Sequence, residues 1–187
     1  MIIGNIIKLI PAVLDDRQKV YEWCFHSETT KYHFGPPNYP DTPAPTFEEF
    51  CDDYMDYFFT GSNLEKGRGF IITCNENAVG FISYCSYHLK PRKAELDVWI
   101  NREENCGKGF GTDALISLGN YLNQELGICE LIIRPSIKNT SAIKSYKKSG
   151  FEESNMSASD YLTDEYLALY GDGDYGADKT ALLIKRF

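Results

Sequence analysis

No apolar run in the sequence approaches the roughly 18 residues that a membrane-spanning helix needs. The most apolar stretch near the start, residues 2–13, is interrupted by Gly4, Asn5, Lys8 and Pro11. No basic segment leads into an apolar one, so a secretory leader is not expected either. Cysteine pairs of the C-x-x-C type are missing. The six cysteines (Cys24, Cys51, Cys74, Cys85, Cys106, Cys129) mostly sit inside apolar patterns and the three histidines are scattered, so reduced core thiols are expected, with no disulfide framework and no metal site. Positive charge is short: 19 Lys and Arg face 27 Asp and Glu, giving a net charge of −8. That balance argues against a nucleic-acid backbone as partner and leans toward a cationic one. A cytoplasmic protein that meets neither membrane nor nucleic acid is expected, as a monomer or a homodimer.

What is present is enough for one domain spanning 1–187, with 43% hydrophobic and 25% charged residues. Residues 6–10 read as a short strand, and Asp15 or Asp16 then caps a helix whose apolar face is Val20, Tyr21, Cys24 and Phe25. Residues 35–45 hold five of the eight prolines and read as an extended loop, a possible side of a substrate mouth. Thr46 and Glu49 form a capping box for a helix that lines up Phe47, Phe50, Cys51, Tyr54, Met55 and Phe58 on one wide face, a wall of core or of substrate pocket.

From Gly69 the period becomes two: residues 70–74, a turn at 75–77, residues 79–87, a break at Lys90-Pro91, then 93–100. This is an antiparallel meander. A helix over 110–125 carries Ala114, Leu115, Leu118 and Leu122 at helical spacing and stops at Gly127. A strand (129–133), a helix (139–149 with Gly150 after it) and strands at 151–157 and 180–187 complete a mixed, β-rich α/β (α+β) pattern. Residues 161–178 contain no Lys or Arg. Asp164, Glu165, Asp172, Asp174 and Asp178 there suit a cationic acceptor, or simply a solvated loop.

The chemistry concentrates between Glu95 and Phe151. Cys106-Gly107-Lys108-Gly109-Phe110-Gly111-Thr112 opens the long helix. Glycines at alternate positions leave amides unshielded beside the helix's own unpaired donors and positive dipole end, which favours an anion, above all a phosphate. A Walker loop is excluded because Lys108 precedes a glycine. Gly109-x-Gly111-x-x-Ala114 matches the dinucleotide fingerprint, but a meander precedes it where βα units are required. Downstream stand Asn139, Ala142, Tyr146, Gly150 and Phe151.

With both segments in order, the stretch resembles the core of the GNAT superfamily of acyl-CoA-dependent N-acetyltransferases. Its Q/R-x-x-G-x-G/A loop corresponds to 106–111, and its N-x-x-A-x-x-x-Y-x-x-x-G-F pattern to 139–151. Among subgroups the ribosomal-protein (RimJ/RimL-like) and aminoglycoside 6'-N-acetyltransferases are most similar. The one departure is Cys106 in place of Gln or Arg, in a slot that works largely through its main chain. The resemblance implies a GNAT fold with a mixed, mostly antiparallel sheet of six to seven strands and about four flanking helices, and acetyl-CoA as cosubstrate.

It further implies that strands 93–100 and 129–133 splay apart so that the pantetheine pairs with the former. Main-chain N–H groups of Val98, Trp99 and Ile100 would hold the thioester oxygen. Residues 106–112 would bind the pyrophosphate, Asn139 the pantetheine or a water, and Tyr146 would give a proton to the thiolate. Strand alternation sets Glu95, Asp97 and Trp99 on one face and Leu96, Val98 and Ile100 on the other. Burial raises a carboxylate toward the range useful to a base, so Glu95 is the first candidate, through water, and Asp97 the second. The bland alternatives are a surface carboxylate pair bound to Lys93 or Arg92, Asn139 as a helix cap, and Tyr146 as core. Functionally the expected activity is acetyl transfer to a primary amine of a small cationic molecule or a protein N-terminus. The alternative is a catalytically degenerate acyl-CoA-binding sensor or scaffold.

Overall fold

In the computed structural model, which describes residues 1–33, 43–171 and 180–187, the period-two segments pair into one sheet. Its order is β1 (Ile2–Ile3), β2 (Lys8–Pro11), β3 (Gly67–Cys74), β4 (Asn77–Cys85), β5 (Lys93–Ile100), β6 (Glu130–Ile133), β8 (Leu183–Arg186) and β7 (Glu152–Glu153). The described sheet thus has eight strands where six to seven are expected, because two-residue β1 and β7 extend its edges. Strands that short leave no periodicity to read. The meander turns as anticipated: Asn75 and Glu76 sit at φ 48° and 65°, the paired left-handed values of a tight two-residue hairpin.

Both faces of the sheet are covered. On one, α5 (Phe110–Leu126) presses Ala114, Leu115, Leu118 and Leu122, all at 0% exposure, onto Leu9, Ile72, Ile82 and Leu131. Gly127, at φ 65°, ends it with its N–H on the Leu122 carbonyl. On the other face, α1 (Arg17–Phe25), α3 (Phe47–Asp53) and α4 (Tyr57–Thr60) pack Val20, Phe50, Phe58 and Phe59 onto Ile71, Phe81 and Trp99. Short α2 (Thr30–His33) follows α1, and α6 (Thr140–Lys148) packs beside α5. Helices α7 (Ala158–Tyr161) and α8 (Asp164–Tyr170) close a third cluster over Leu89, Ile132 and Ile184.

Three expectations need correction. Asp16 accepts the Val13 N–H at 3.0 Å within a 3-10 turn over Leu14–Asp16, and α1 begins at Arg17 without a side-chain cap. The wide aromatic helix after Thr46 keeps its capping box but stops at Tyr54 (φ −101°, ψ 68°) and restarts as α4, which leaves Met55 exposed. The strand expected over 151–157 shrinks to Glu152–Glu153, because β8 offers it only Leu183 and Ile184. Residues 35–42 of the proline-rich segment, and Asp172, Asp174 and Asp178, lie outside the described residues.

Candidate active site

β5 and β6 run parallel through Lys93–Glu130, Ala94–Leu131 and Glu95–Ile132, and β5 continues alone from Leu96 to Ile100. The strands therefore fork, and the fork exposes one main-chain edge of β5, on which the Ile100 carbonyl accepts from the Thr29 hydroxyl at 2.7 Å. Alternation holds across it. Leu96, Val98 and Ile100 pack toward the α5 core, while Trp99 is buried in the aromatic cluster on the opposite face.

At the fork's α5 side stands the glycine loop. Gly107 and Gly109 adopt φ 74° and 87°, values an L side chain resists, and Gly109 caps α5 without any side-chain donor or acceptor. The first bond of the helix is Asp113 N–H to Gly109 O at 2.9 Å. From Gly107 to Thr112 the amides have no acceptor among the described residues. They leave a run of unspent donors at the positive dipole end of α5. Cys106 differs: its N–H is spent on Glu103 O at 2.9 Å and its thiol points at Arg102 O, so the cradle starts at Gly107. Asp113 accepts the N–H groups of Asn5, Ile6 and Ile7 and so ties the start of the chain to the first turn of α5.

Across the fork, Asn139 caps α6: its Oδ1 takes the Ala142 N–H at 3.1 Å and its Nδ2 donates to Tyr32 O at 3.0 Å. Both ends of that amide are occupied. Ser145 and Thr112 share a hydroxyl hydrogen bond at 3.0 Å, which locks α6 against the start of α5. Tyr146 is half-buried, and its hydroxyl has no partner among the described residues. Burial, with Asp97 nearby, pushes its phenol well above the ordinary tyrosine value. It stays protonated at any working pH.

The two carboxylates differ sharply. Burial alone would raise Glu95, but a 2.7 Å bond to His88 Nε2 and a bidentate grip by Arg134 (2.7 and 3.1 Å) outweigh it and hold the carboxyl at about 2. Neither Lys93 nor Arg92 is its partner, because they bond Glu130 and Gly127 O. The expected rise occurs instead at Asp97, through burial and then the Glu95 charge, against hydrogen bonds from Tyr54 and the Val98 N–H. Asp97 is open to solvent, so water tempers that rise.

The sequence pattern of an acetyltransferase (GNAT) domain matches residues 7–152. The chain belongs to this GNAT family. No curated protein matches the sequence. Among solved structures it is similar to the aminoglycoside acetyltransferase AAC(6')-Ib in complex with coenzyme A (18% identity, TM-score 0.68, 96% of this chain and 94% of that one). It is similar also to spermidine N-acetyltransferase from Vibrio cholerae with CoA and spermine (17%, 0.65, 96% and 95%). RimL, a ribosomal L7/L12 alpha-N-protein acetyltransferase in complex with coenzyme A, gives 14%, 0.69, 98% and 96%. At these identities the likeness establishes the GNAT fold.

Within that fold Glu95, Asp97, Val98 and Ile100 lie on β5, Trp99 turns into the aromatic core, Cys106 precedes the loop whose residues 107–112 lead into α5, and Asn139 caps the helix that carries Tyr146. Sequence reasoning missed His88, Arg134 and Tyr54, the groups that decide which carboxylate is free. Arg134 left one trace: a lone charge two residues beyond Ile132, on the same face as Glu95. Cys85, His88 and Glu95 bring donor atoms within 4.8 Å of one another. Arg134 and His88 already take both Glu95 oxygens, and a guanidinium at that distance opposes a cation. A separate open groove beside Trp23, Glu28, Arg102 and Glu103 contains none of the expected site residues. No described helix is long and apolar enough to cross a membrane.

The ion pair makes a prediction about stability. Arg134→Met leaves the Glu95 charge with His88 alone against it in a mostly buried site, so urea unfolding should show a loss of about 3 kcal/mol. Because Glu95 is depressed to about 2, its contribution is complete above the ordinary glutamate value of about 4.3 and disappears as pH falls toward the folded value. The difference between wild type and variant should therefore narrow between those values. A constant difference across that window would contradict the pairing.

Proposed function

We propose that the protein transfers an acetyl group from acetyl-CoA directly to a primary amine. The observation that carries this is the joint placement at one fork of an open amide row, an unpaired strand edge, a protonated phenol and a raised carboxylate. Residues 107–112 bind the pyrophosphate, and the pantetheine adds as a strand along Leu96–Ile100. A main-chain N–H on the open edge, that of Val98 or Ile100, receives the carbonyl oxygen as it gains charge, while the Trp99 N–H faces β4.

The amine nitrogen attacks the thioester carbon, the C–S bond breaks, and the amine's proton passes to Asp97 directly or through a water. The thiolate leaves under a hydrogen bond from Tyr146. Asp97 takes the proton because Glu95, held ionised by Arg134, is too weak a base at about 2. The acceptor is a small cationic amine or a protein N-terminus. The net charge of −8 and the acidic start of α8 at Asp164 and Glu165 favour it, and the proteins of similar fold act on an aminoglycoside, spermidine and a protein α-amine.

Thiol release from acetyl-CoA, measured over kanamycin, spermidine and a serine-initiated peptide, is the test. Release that depends on one of these amines is expected. Tight coenzyme binding without release for any amine would favour the sensor or scaffold alternative. Asp97→Asn should lower kcat/KM about 100-fold with an unchanged melting temperature. In the wild type, kcat/KM should fall on acidification through a value above the ordinary aspartate range, since the base must be ionised.

A further inference from the structure

Tyr54 lies where α3 stops, and its surroundings leave it little freedom. Its N–H bonds Phe50 O at 2.8 Å, and its carbonyl accepts from Arg17, which also donates to Cys51 O at 2.8 Å and pairs with Asp56 at 2.7 Å. The backbone is therefore held on both sides of the residue. The ring stacks on Phe50 at 4.9 Å, leans on Phe58 at 5.1 Å and meets Trp99 edge-on at 5.8 Å. Trp99 stands two residues along β5 from Asp97, on the same face. From that fixed ring the hydroxyl reaches Asp97 Oδ2 at 2.7 Å.

We propose that Tyr54 is a positioning residue for the reaction: it fixes the rotamer of Asp97 and keeps that carboxylate ionised for the incoming amine. The inference rests on the reading of Asp97 as proton acceptor. A solvent-exposed carboxylate otherwise samples several rotamers, and only some of them face an acceptor. A phenol donor opposes protonation, because the hydrogen bond favours the charged form. Apart from the Val98 N–H, which also favours the charged form, the other groups around Asp97 push the opposite way or are neutral. Cys24 of α1, Cys85 of β4 and Tyr146 of α6 carry no positive charge, Glu95 adds a negative one, and the charge of Arg134 is absorbed by Glu95. His88 too is engaged by Glu95. Tyr54 is thus the side chain on Asp97 that favours its ionised form.

Tyr54→Phe keeps the ring and removes only the donor. Two readouts test it: the pH dependence of kcat/KM with whichever amine of the panel turns over fastest, and a 13C carboxyl NMR titration of Asp97, which needs no acceptor. One charge-assisted bond in a partly hydrated site predicts an upward shift of about one pH unit in both, and about a tenfold loss of kcat/KM at pH values below the acid limb. Difluorotyrosine at the same position, a stronger donor of nearly the same shape, should move both downward, and it keeps the test intact if the phenylalanine variant folds poorly. An acid limb and a carboxyl titration that neither replacement moves would overturn the proposal. Wild-type turnover in Asp97→Asn would instead overturn the choice of base, an outcome that involves no change at Tyr54.

Discussion

Gly111→Leu is expected to weaken coenzyme A binding about 1,000-fold while leaving the protein as stable as before. The two halves of that result have separate causes. Gly111 lies in the first turn of α5 without a positive φ, and a Cβ built there meets nothing within 4 Å. The fold has no use for a glycine at this position, and leucine favours helix over glycine by up to about 1 kcal/mol. What a side chain takes up is the open space in front of the amide row from Gly107 to Thr112. Loss of two or three charge-assisted bonds, each worth roughly 1.5–3 kcal/mol, amounts to about three decades of affinity. Gly109 is a poorer position for the same test: at φ 87° any replacement strains the backbone, so stability and affinity would fall together. Calorimetric titration with coenzyme A and a thermal melt are sufficient. Unaltered affinity in a folded Gly111→Leu would remove the phosphates from this loop.

Tyr146→Phe is expected to lower kcat about 1,000-fold with coenzyme affinity changed by less than about threefold. The ring remains against the α5 core and near Phe151, at 6.5 Å between centroids, so packing is preserved and only the hydroxyl is lost. That hydroxyl has no partner among the described residues, whereas Asn139 is consumed at both ends by Ala142 and Tyr32 and Ser145 by Thr112. Its phenol is too basic to ionise, so under the proposed mechanism it would serve as a permanent donor to the sulfur as the C–S bond lengthens. Single-turnover rates separate this from product release. An unchanged chemical step would take Tyr146 out of the mechanism.

Much of this site was legible because it depends on local rules. The meander, β5 at Lys93–Ile100, the amide-rich start of α5 and its Gly127 stop each follow from spacing within about a dozen residues. Asn139 as a cap was likewise readable, although its second bond to Tyr32 was not. What the pattern could not reveal is which carboxylate is free. Glu95 and Asp97 are equivalent by alternation on the strand. They part company through partners from other elements: His88 and, 39 residues downstream, Arg134 hold one ionised, and Tyr54, 43 residues upstream, orients the other. The end of α3 at Tyr54 was hidden for the same reason. Residues 47–58 have helical periodicity throughout, and the break comes from Arg17 capturing the carbonyls of Cys51 and Tyr54.

The most direct measurement of the central claim is an amide 1H–15N spectrum recorded as coenzyme A is titrated into the protein. Gly107, Lys108, Gly109, Phe110, Gly111 and Thr112 should shift downfield together and gain protection from exchange, with smaller changes along Leu96–Ile100 on the open edge of β5. Binding that leaves those amides unmoved, or that perturbs the groove beside Trp23 and Glu103 instead, would contradict it.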